Sequence, residues 1–401
     1  MRVLLLNQAF YPDLVSTGLH LSELAMELKA SGHAVTVVTS SRAYDNPALR
    51  FARKEMWNGI TIHRVGGSAF GKGAIWRRAV DFATNLAATA LRLICVGHPD
   101  VVIALTSPPM ISVLGAMFSQ FYGARFFYWV MDFNPDEAIA AGALRSGSLS
   151  ARMLETLSRY SLSQAEKVVA LDRFMLDRIM AKGIEREKIV VLAPWSLDKI
   201  GFDARGRAMF RDRHRIGAKF VVMYSGNHSP CHPLDTLLGA ARCLREDREI
   251  LFMFVGGGSE FKRIKQIAEA EHLKNVLCLP YQPLEELAGS LSAADLHCVV
   301  MGDPFVGLVH PCKLYNIIRV GAPVLYVGPA GSHIPEIFEK LDGAWSWASR
   351  RHGDVQGTVE AIQAARRQRF RASPEVAMKA VRPYSGETII PKLIKIVQPT
   401  G

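Results

Sequence analysis

The stretch FVVMYSGNHSPCHPLDTLLGAARCL, residues 220–244, decides how the chain is read. An uninterrupted apolar run ends at Gly226, a turn rich in His, Cys and Pro follows, and helical periodicity resumes after Pro233. A run of that kind is a strand buried on both faces. A strand passing through glycine into a helix opens a doubly wound α/β unit. The first N–H groups of such a helix attract anions. The same turn holds zinc-type ligands, His228, Cys231 and His232, which could join His310 and Cys312. It also sets a cysteine beside a histidine, the pairing that a thiol nucleophile requires. Phosphate, metal and nucleophile are thus three readings of one loop.

The unit recurs outward in both directions. RVLLL, AVTVVT, ITIHRV, VVIAL, RFFYWV, KVVAL and KIVVL form a first series of strands, and FVVMYSG, ILFMFVG, NVLCLP, DLHCVV and PVLYVG a second, with helical patterns between them. Residues 196–218 lose apolar periodicity and gain charge, which marks a domain boundary. A chain of 401 residues also exceeds what one core usually supports. The expected organisation is a doubly wound parallel-sheet domain over residues 1–200, a second over 201–385, and a C-terminal helix over 386–401 that could pack back on the first. Ligands of such sheets lie beyond the carboxyl ends of the strands, so the two domains should face each other across a cleft.

With 49% hydrophobic and 21% charged residues the chain is not disordered, and its net charge of +11 favours anionic partners. No nucleic-acid-binding signature is present, which leaves a nucleotide and an acidic membrane surface as the partners expected. Six cysteines without a CxxC pair suit a reducing compartment. MRVLLLNQAF reads as a buried strand, not a signal peptide, so a cytoplasmic location is expected. Residues 101–123 approach membrane-spanning length, but Pro108 and Pro109 divide them into strand, turn and helix. In residues 75–97, IWRRAVDFATNLAATALRLICVG, a long apolar face is flanked by Arg77, Arg78 and Arg92. That pattern fits a core helix and an interfacial helix equally.

Three further blocks could carry chemistry. NQAFYPDLVSTGLHLSELAMELKASGHAVTVVTS sets Ser16, Thr17 and Gly18 at a helix start after the first strand. ILFMFVGGGSEFKRIKQIAEAEHL runs a strand into three glycines, with Gly257 at their centre. MGDPFVGLVHPCKLYNIIRVGAPVLYVG brings Asp303, Val309, His310, Lys313, Tyr315 and Asn316 into or next to a helix start. There an ammonium and backbone dipoles together could neutralise a diphosphate.

These blocks, in this order, resemble the retaining glycosyltransferases of family four, enzymes of the GT-B fold with two Rossmann-like domains. The likeness covers nearly the whole chain through YPDLVSTGLHLSELAMELKASGHAVTVVT, YSGN, FVGGG, YQPLEELAGSLSAADL and PCKLYNIIRVGAPVL. It implies transfer of a sugar from a nucleotide sugar, UDP by family frequency, to an acceptor hydroxyl with retention, in surface polysaccharide or glycolipid assembly. The basic charge and the arginine-flanked helix point to a membrane-bound lipid or lipid-linked acceptor and a peripheral place at the cytoplasmic face of the inner membrane, and the resemblance implies no metal or other cofactor. Residues 16–18 would lie near the sugar and phosphates. Gly226, Asn227, His228, Ser229 and the Lys313 helix would hold the diphosphate. Tyr281, Pro283 and Leu284 would face the base, and Asp132 in VMDFNPDEA would orient the acceptor.

The chain departs from the family at its EX7E pair, where it has Leu308 and Asn316. Asn316 could replace the second glutamate only through a neutral carbonyl. The family's diphosphate-binding Arg and Lys fall on Asn227 and His232, so Lys313, His228, His232 and His310 are expected to supply the positive charge. Zinc then becomes the weaker reading of the opening loop, since adjacent Cys231 and His232 rarely share an ion and the spacing matches no standard finger. A scaffold that binds a sugar nucleotide without turnover, and a nucleotide-sugar epimerase, stand as alternatives.

Overall fold

The computed structural model describes all residues except 14, 45, 47, 69, 71–74, 342 and 399–401, together with the side chains of 75, 78 and 79. Arg78, one of the arginines flanking residues 75–97, therefore lies outside the described side chains. The chain divides into two compact units: Met1–Pro194 with Gly307–His310 and Ile389–Gly401, and Trp195–Val306 with Pro311–Thr388.

The first unit is built on β1 (Arg2–Leu6), β2 (Ala34–Ser40), β3 (Lys54–Trp57), β4 (Ile60–Val65), β5 (Val101–Ala104), β6 (Arg125–Trp129), β7 (Lys167–Ala170) and β8 (Ile189–Val191). Their order is β3-β4-β2-β1-β5-β6-β7-β8. Every neighbouring pair is parallel except β3 with β4. Leu4, Leu5, Val37, Ile62, Val101, Val102 and Val168 are fully buried, as continuous apolar strands covered on both faces should be. α1 (Ser16–Ala30), α2 (Ile75–Leu93) and α3 (Ile111–Tyr122) are among its helices.

The second unit holds β9 (Phe220–Asn227), β10 (Ile250–Gly257), β11 (Val276–Leu279), β12 (Leu296–Val300), β13 (Val324–Val327) and β14 (Trp347–Arg350), ordered β11-β10-β9-β12-β13-β14 and parallel throughout. Renumbered from its own first strand, that order is 3-2-1-4-5-6. The direction of winding reverses between β9 and β12, and in the first unit between β1 and β5. Loops leaving the carboxyl ends of strands at such a switch point splay apart and leave room for a ligand. Each unit therefore offers one site by topology alone.

The segment Gly307–His310, placed with the second domain by sequence, belongs to the first unit. The Phe133 N–H donates to the Leu308 carbonyl at 2.9 Å. Gly307, at φ +72°, lies so close to the Phe174 carbonyl that a Cβ would meet its oxygen at 2.6 Å.

Candidate active site

At the switch point of the second unit β9 and β10 run side by side, Gly226 opposite Gly256 and Asn227 opposite Gly257. Gly226 has φ +132°, and a Cβ there would sit 3.0 Å from both Cε and Nζ of Lys313. Gly256 has φ +137°, and its Cβ would come to 2.0 Å from the Gly226 carbonyl oxygen. Only glycine satisfies both conditions, so the two strands end in bare backbone.

Lys313 opens the helix Lys313–Arg319 and turns back under this loop. Its Nζ lies 3.8 Å from the centroid of the Tyr224 ring, a cation–π distance. The nitrogen is shielded from solvent and has no hydrogen-bond partner. Burial pushes its pKa from 10.5 down to about 7. An ammonium in that position is unsatisfied until an anion arrives. Tyr224 was not singled out from sequence, although it stands two residues before Gly226 on one strand and so shares its face.

The histidines of the loop do not supply charge, and that expectation is corrected. His228 is fully buried, and its Nδ1–H donates to the Gly226 carbonyl at 2.9 Å. His232 is also buried, and its Nδ1–H donates to the Val300 carbonyl at 2.7 Å. Burial, with the nearby Lys313 ammonium second, pushes both pKa values down to about 3. Each imidazole is a neutral strut beneath the glycine loop. Among the described residues, the ligand atoms of His228, Cys231 and His232 form no metal-sized cluster.

Asn227 is exposed and Ser229 half-buried on the surface of the loop. Tyr281, 47% exposed, lays its ring against Gly257, where a Cβ would meet Cε2 at 2.9 Å. Pro283 precedes the short 3-10 turn Leu284–Glu286, and exposed Asp303 opens another, Asp303–Phe305. Gly226, Asn227, Gly257, Tyr281 and Lys313 thus share one face of the unit.

Three other expected donor residues lie deeper in the fold. Tyr315 is fully buried and stacks on Tyr384 at 4.7 Å, a core role. Asn316 Oδ1 accepts from the Leu197 N–H at 2.9 Å. His310 has a side chain only 1% exposed, with Nδ1 2.8 Å from Oδ2 of Asp172, so it is held within the first unit. Val309 beside it is buried.

In the first unit the Gln8 N–H donates to the Ser107 carbonyl, and Ser107 Oγ donates to Gln8 Oε1 at 3.2 Å, tying the ends of β1 and β5 together. Ser16, Thr17 and Gly18 form the first turn of α1, and a Cβ on Gly18 would meet the Asp13 carbonyl oxygen at 2.9 Å. Asp132 follows β6, and its N–H donates to Thr106 Oγ1 at 3.3 Å. Burial raises the Asp132 carboxyl to about 6, the range of a group that exchanges protons near neutrality.

Comparison with known proteins places this geometry. Residues 17–195 match the family described as Glycosyl transferase 4-like domain, and residues 207–337 match Glycosyl transferases group 1. The chain is 24% identical over 366 residues to the putative colanic acid biosynthesis glycosyl transferase WcaI of Escherichia coli, covering 86% of this chain and 87% of that one. Among solved structures, Anabaena HepE in complex with UDP-glucose superposes with a TM-score of 0.71 at 16% identity and 99% coverage of both chains. WaaG, a glycosyltransferase involved in lipopolysaccharide biosynthesis, gives 0.70 at 16% identity over the full length of both. With both matches in chain order and two parallel-sheet units, the chain carries a Glycosyl transferase 4-like domain followed by a Glycosyl transferases group 1 domain and has the GT-B type of fold.

Proposed function

We propose that the protein is a retaining, metal-independent hexosyl- or related glycosyltransferase. It moves a sugar from a nucleotide sugar, in first place a UDP-sugar, to a lipid or lipid-linked acceptor in surface polysaccharide or glycolipid assembly. The observation that carries this reading is the buried, unpartnered ammonium of Lys313 beneath Gly226 at the topological switch point of the second unit. An anion with several oxygens, approached by bare backbone and an ammonium, fits there as a diphosphate does. The curated relative WcaI is named for colanic acid biosynthesis and HepE is described with UDP-glucose, which supports a polysaccharide context and a UDP donor.

Transfer breaks the bond between the anomeric carbon and the diphosphate oxygen, which leaves with the electron pair. Lys313 and the N–H groups of the glycine loop stabilise the charge that develops on it. The acceptor hydroxyl oxygen bonds to the anomeric carbon on the face the diphosphate leaves, and its proton passes to a phosphate oxygen. Asp132 accepts a hydrogen bond from the acceptor and orients it. Tyr281, with Pro283 and Leu284, borders the base, and Ser16, Thr17 and Gly18 border the sugar. The net charge of +11 favours work at the cytoplasmic face of a membrane with anionic lipids.

The test is incubation of the chelator-treated protein with UDP- and GDP-sugars and a lipid extract. Release of nucleoside diphosphate, with a product whose anomeric configuration matches the donor, is expected. An isomerised donor would show an epimerase instead, and binding without turnover a scaffold.

A further inference from the structure

α2 leaves an apolar stripe in water. Its residues Trp76, Val80, Ala83, Ala87 and Leu91, with Ile94 just past its end, recur at helical spacing, and all six are exposed. Trp76 is 60% exposed, and Leu91 and Ile94 each 69%. The face turned inward mixes apolar and polar groups: Leu93, Asn85 and Thr89 are buried, and Asp81 accepts from Ser68 Oγ at 2.6 Å. Thr84 Oγ1 accepts from the Ser68 N–H at 3.0 Å. Exposing an apolar stripe while Asn85 and Thr89 are buried departs from the ordinary pattern. α3 packs beside α2 and adds Phe121, 81% exposed, and Met117, 55% exposed. The His98 ring beyond the end of α2 lies 4.4 Å from the Tyr122 ring of α3 and links the two.

We infer that this outward face of α2, with the end of α3, docks on the surface of a bilayer containing anionic lipid. The inference rests on the membrane reading above and names the surface that performs it. Charge chooses the occupant. Arg77 lies with its guanidinium 5.4 Å from the Trp76 ring, Arg92 stands beside Leu91, and Asp81, the sole acid of α2, is turned to Ser68. Apolar side chains between arginines enter the acyl boundary while the guanidiniums stay with the phosphates. A second copy of the chain fits less well. Two copies at +11 repel each other. Among the described residues no helix is long and apolar enough to cross a membrane, so the fit is to the surface.

The experiment is flotation of the full chain with vesicles of phosphatidylcholine alone or with about one third phosphatidylglycerol, at low and high salt, with the oligomeric state measured in parallel. Wild type should float with the anionic vesicles and lose most binding at high salt. Leu91→Glu with Ile94→Glu should weaken that binding at least tenfold while UDP binding and elution volume stay unchanged, which shows an intact fold. If wild type floats and the double variant floats equally, this surface is the wrong one although the membrane reading stands. If wild type does not float, both fail. A wild-type dimer that the double variant converts to monomer, without lipid dependence, would assign the stripe to a second copy and overturn the inference.

Discussion

Replacing Lys313 with methionine should make the protein more stable and its nucleotide binding weaker at the same time. The ammonium is buried with no hydrogen-bond partner, and its pKa falls from 10.5 to about 7. Between those values the unfolded chain holds the proton and the folded chain has released it, so stability rises with pH across that window. At pH 7 the penalty is about 4 kcal/mol; it is largest below pH 7 and vanishes near 10.5. Methionine keeps the side chain to within one heavy atom and removes the charge. The midpoint of thermal unfolding at pH 7 should rise, by roughly 5–15 °C for a unit of this size, and the gain should shrink by pH 10. Loss of the charge-assisted contact to the diphosphate, worth about 1.5–3 kcal/mol, should weaken UDP binding by about 10- to 150-fold. Scanning calorimetry and titration calorimetry on the same preparations read both effects. A destabilised Lys313→Met protein, or one that binds UDP as wild type does, would refute the assignment.

Asp132→Asn should lower the rate of transfer at least a hundredfold while leaving UDP affinity unchanged. With the carboxyl raised to about 6, wild-type activity should fall as pH drops through 6, and a rate–pH profile of both proteins checks this limb. Gly256→Ala should disrupt the loop, because its Cβ would lie 2.0 Å from the Gly226 carbonyl oxygen; UDP binding measured by calorimetry should be lost. His228 and His232, both near pKa 3 when folded against 6.5 unfolded, contribute stability that is present above pH 6.5 and lost as pH falls toward 3. At pH 5 that loss is about 2 kcal/mol each, so the double substitution to Gln should flatten the fall in urea midpoint between pH 6.5 and 5. Asn316→Ala should cost about 1–2 kcal/mol of stability by stranding the Leu197 N–H and leave UDP affinity within twofold, as denaturation and binding titrations would show.

Much of the fold was legible because β9 and β10 are continuous apolar runs that end in glycine, which is what buried parallel strands at a ligand loop require. KEMW and WASR were not recognised. Both form edge strands without a fully buried residue, so they carry no apolar run to read. In the site, Lys313 and the glycines were visible because ammonium and bare backbone announce anion chemistry by themselves. The roles of His228, His232 and Asn316 depend on the protein around them. The His232 partner, Val300, lies 68 residues away, and Asn316 is bound to Leu197, 119 residues away. Sequence shows an imidazole but not the carbonyl and the burial that keep it neutral. The face of α2 posed the same problem: its periodicity was plain, while its direction was decided by Ser68 and the packing of Asn85 and Thr89.

The most direct measurement of the central claim is nucleoside diphosphate released from a panel of UDP- and GDP-sugars by the chelator-treated protein, with and without lipid acceptor. Acceptor-dependent release of UDP from at least one donor, abolished by Lys313→Met and unaffected by chelator, is the result predicted. A donor that is bound or isomerised but never cleaved, or cleavage that requires added metal, would contradict the account.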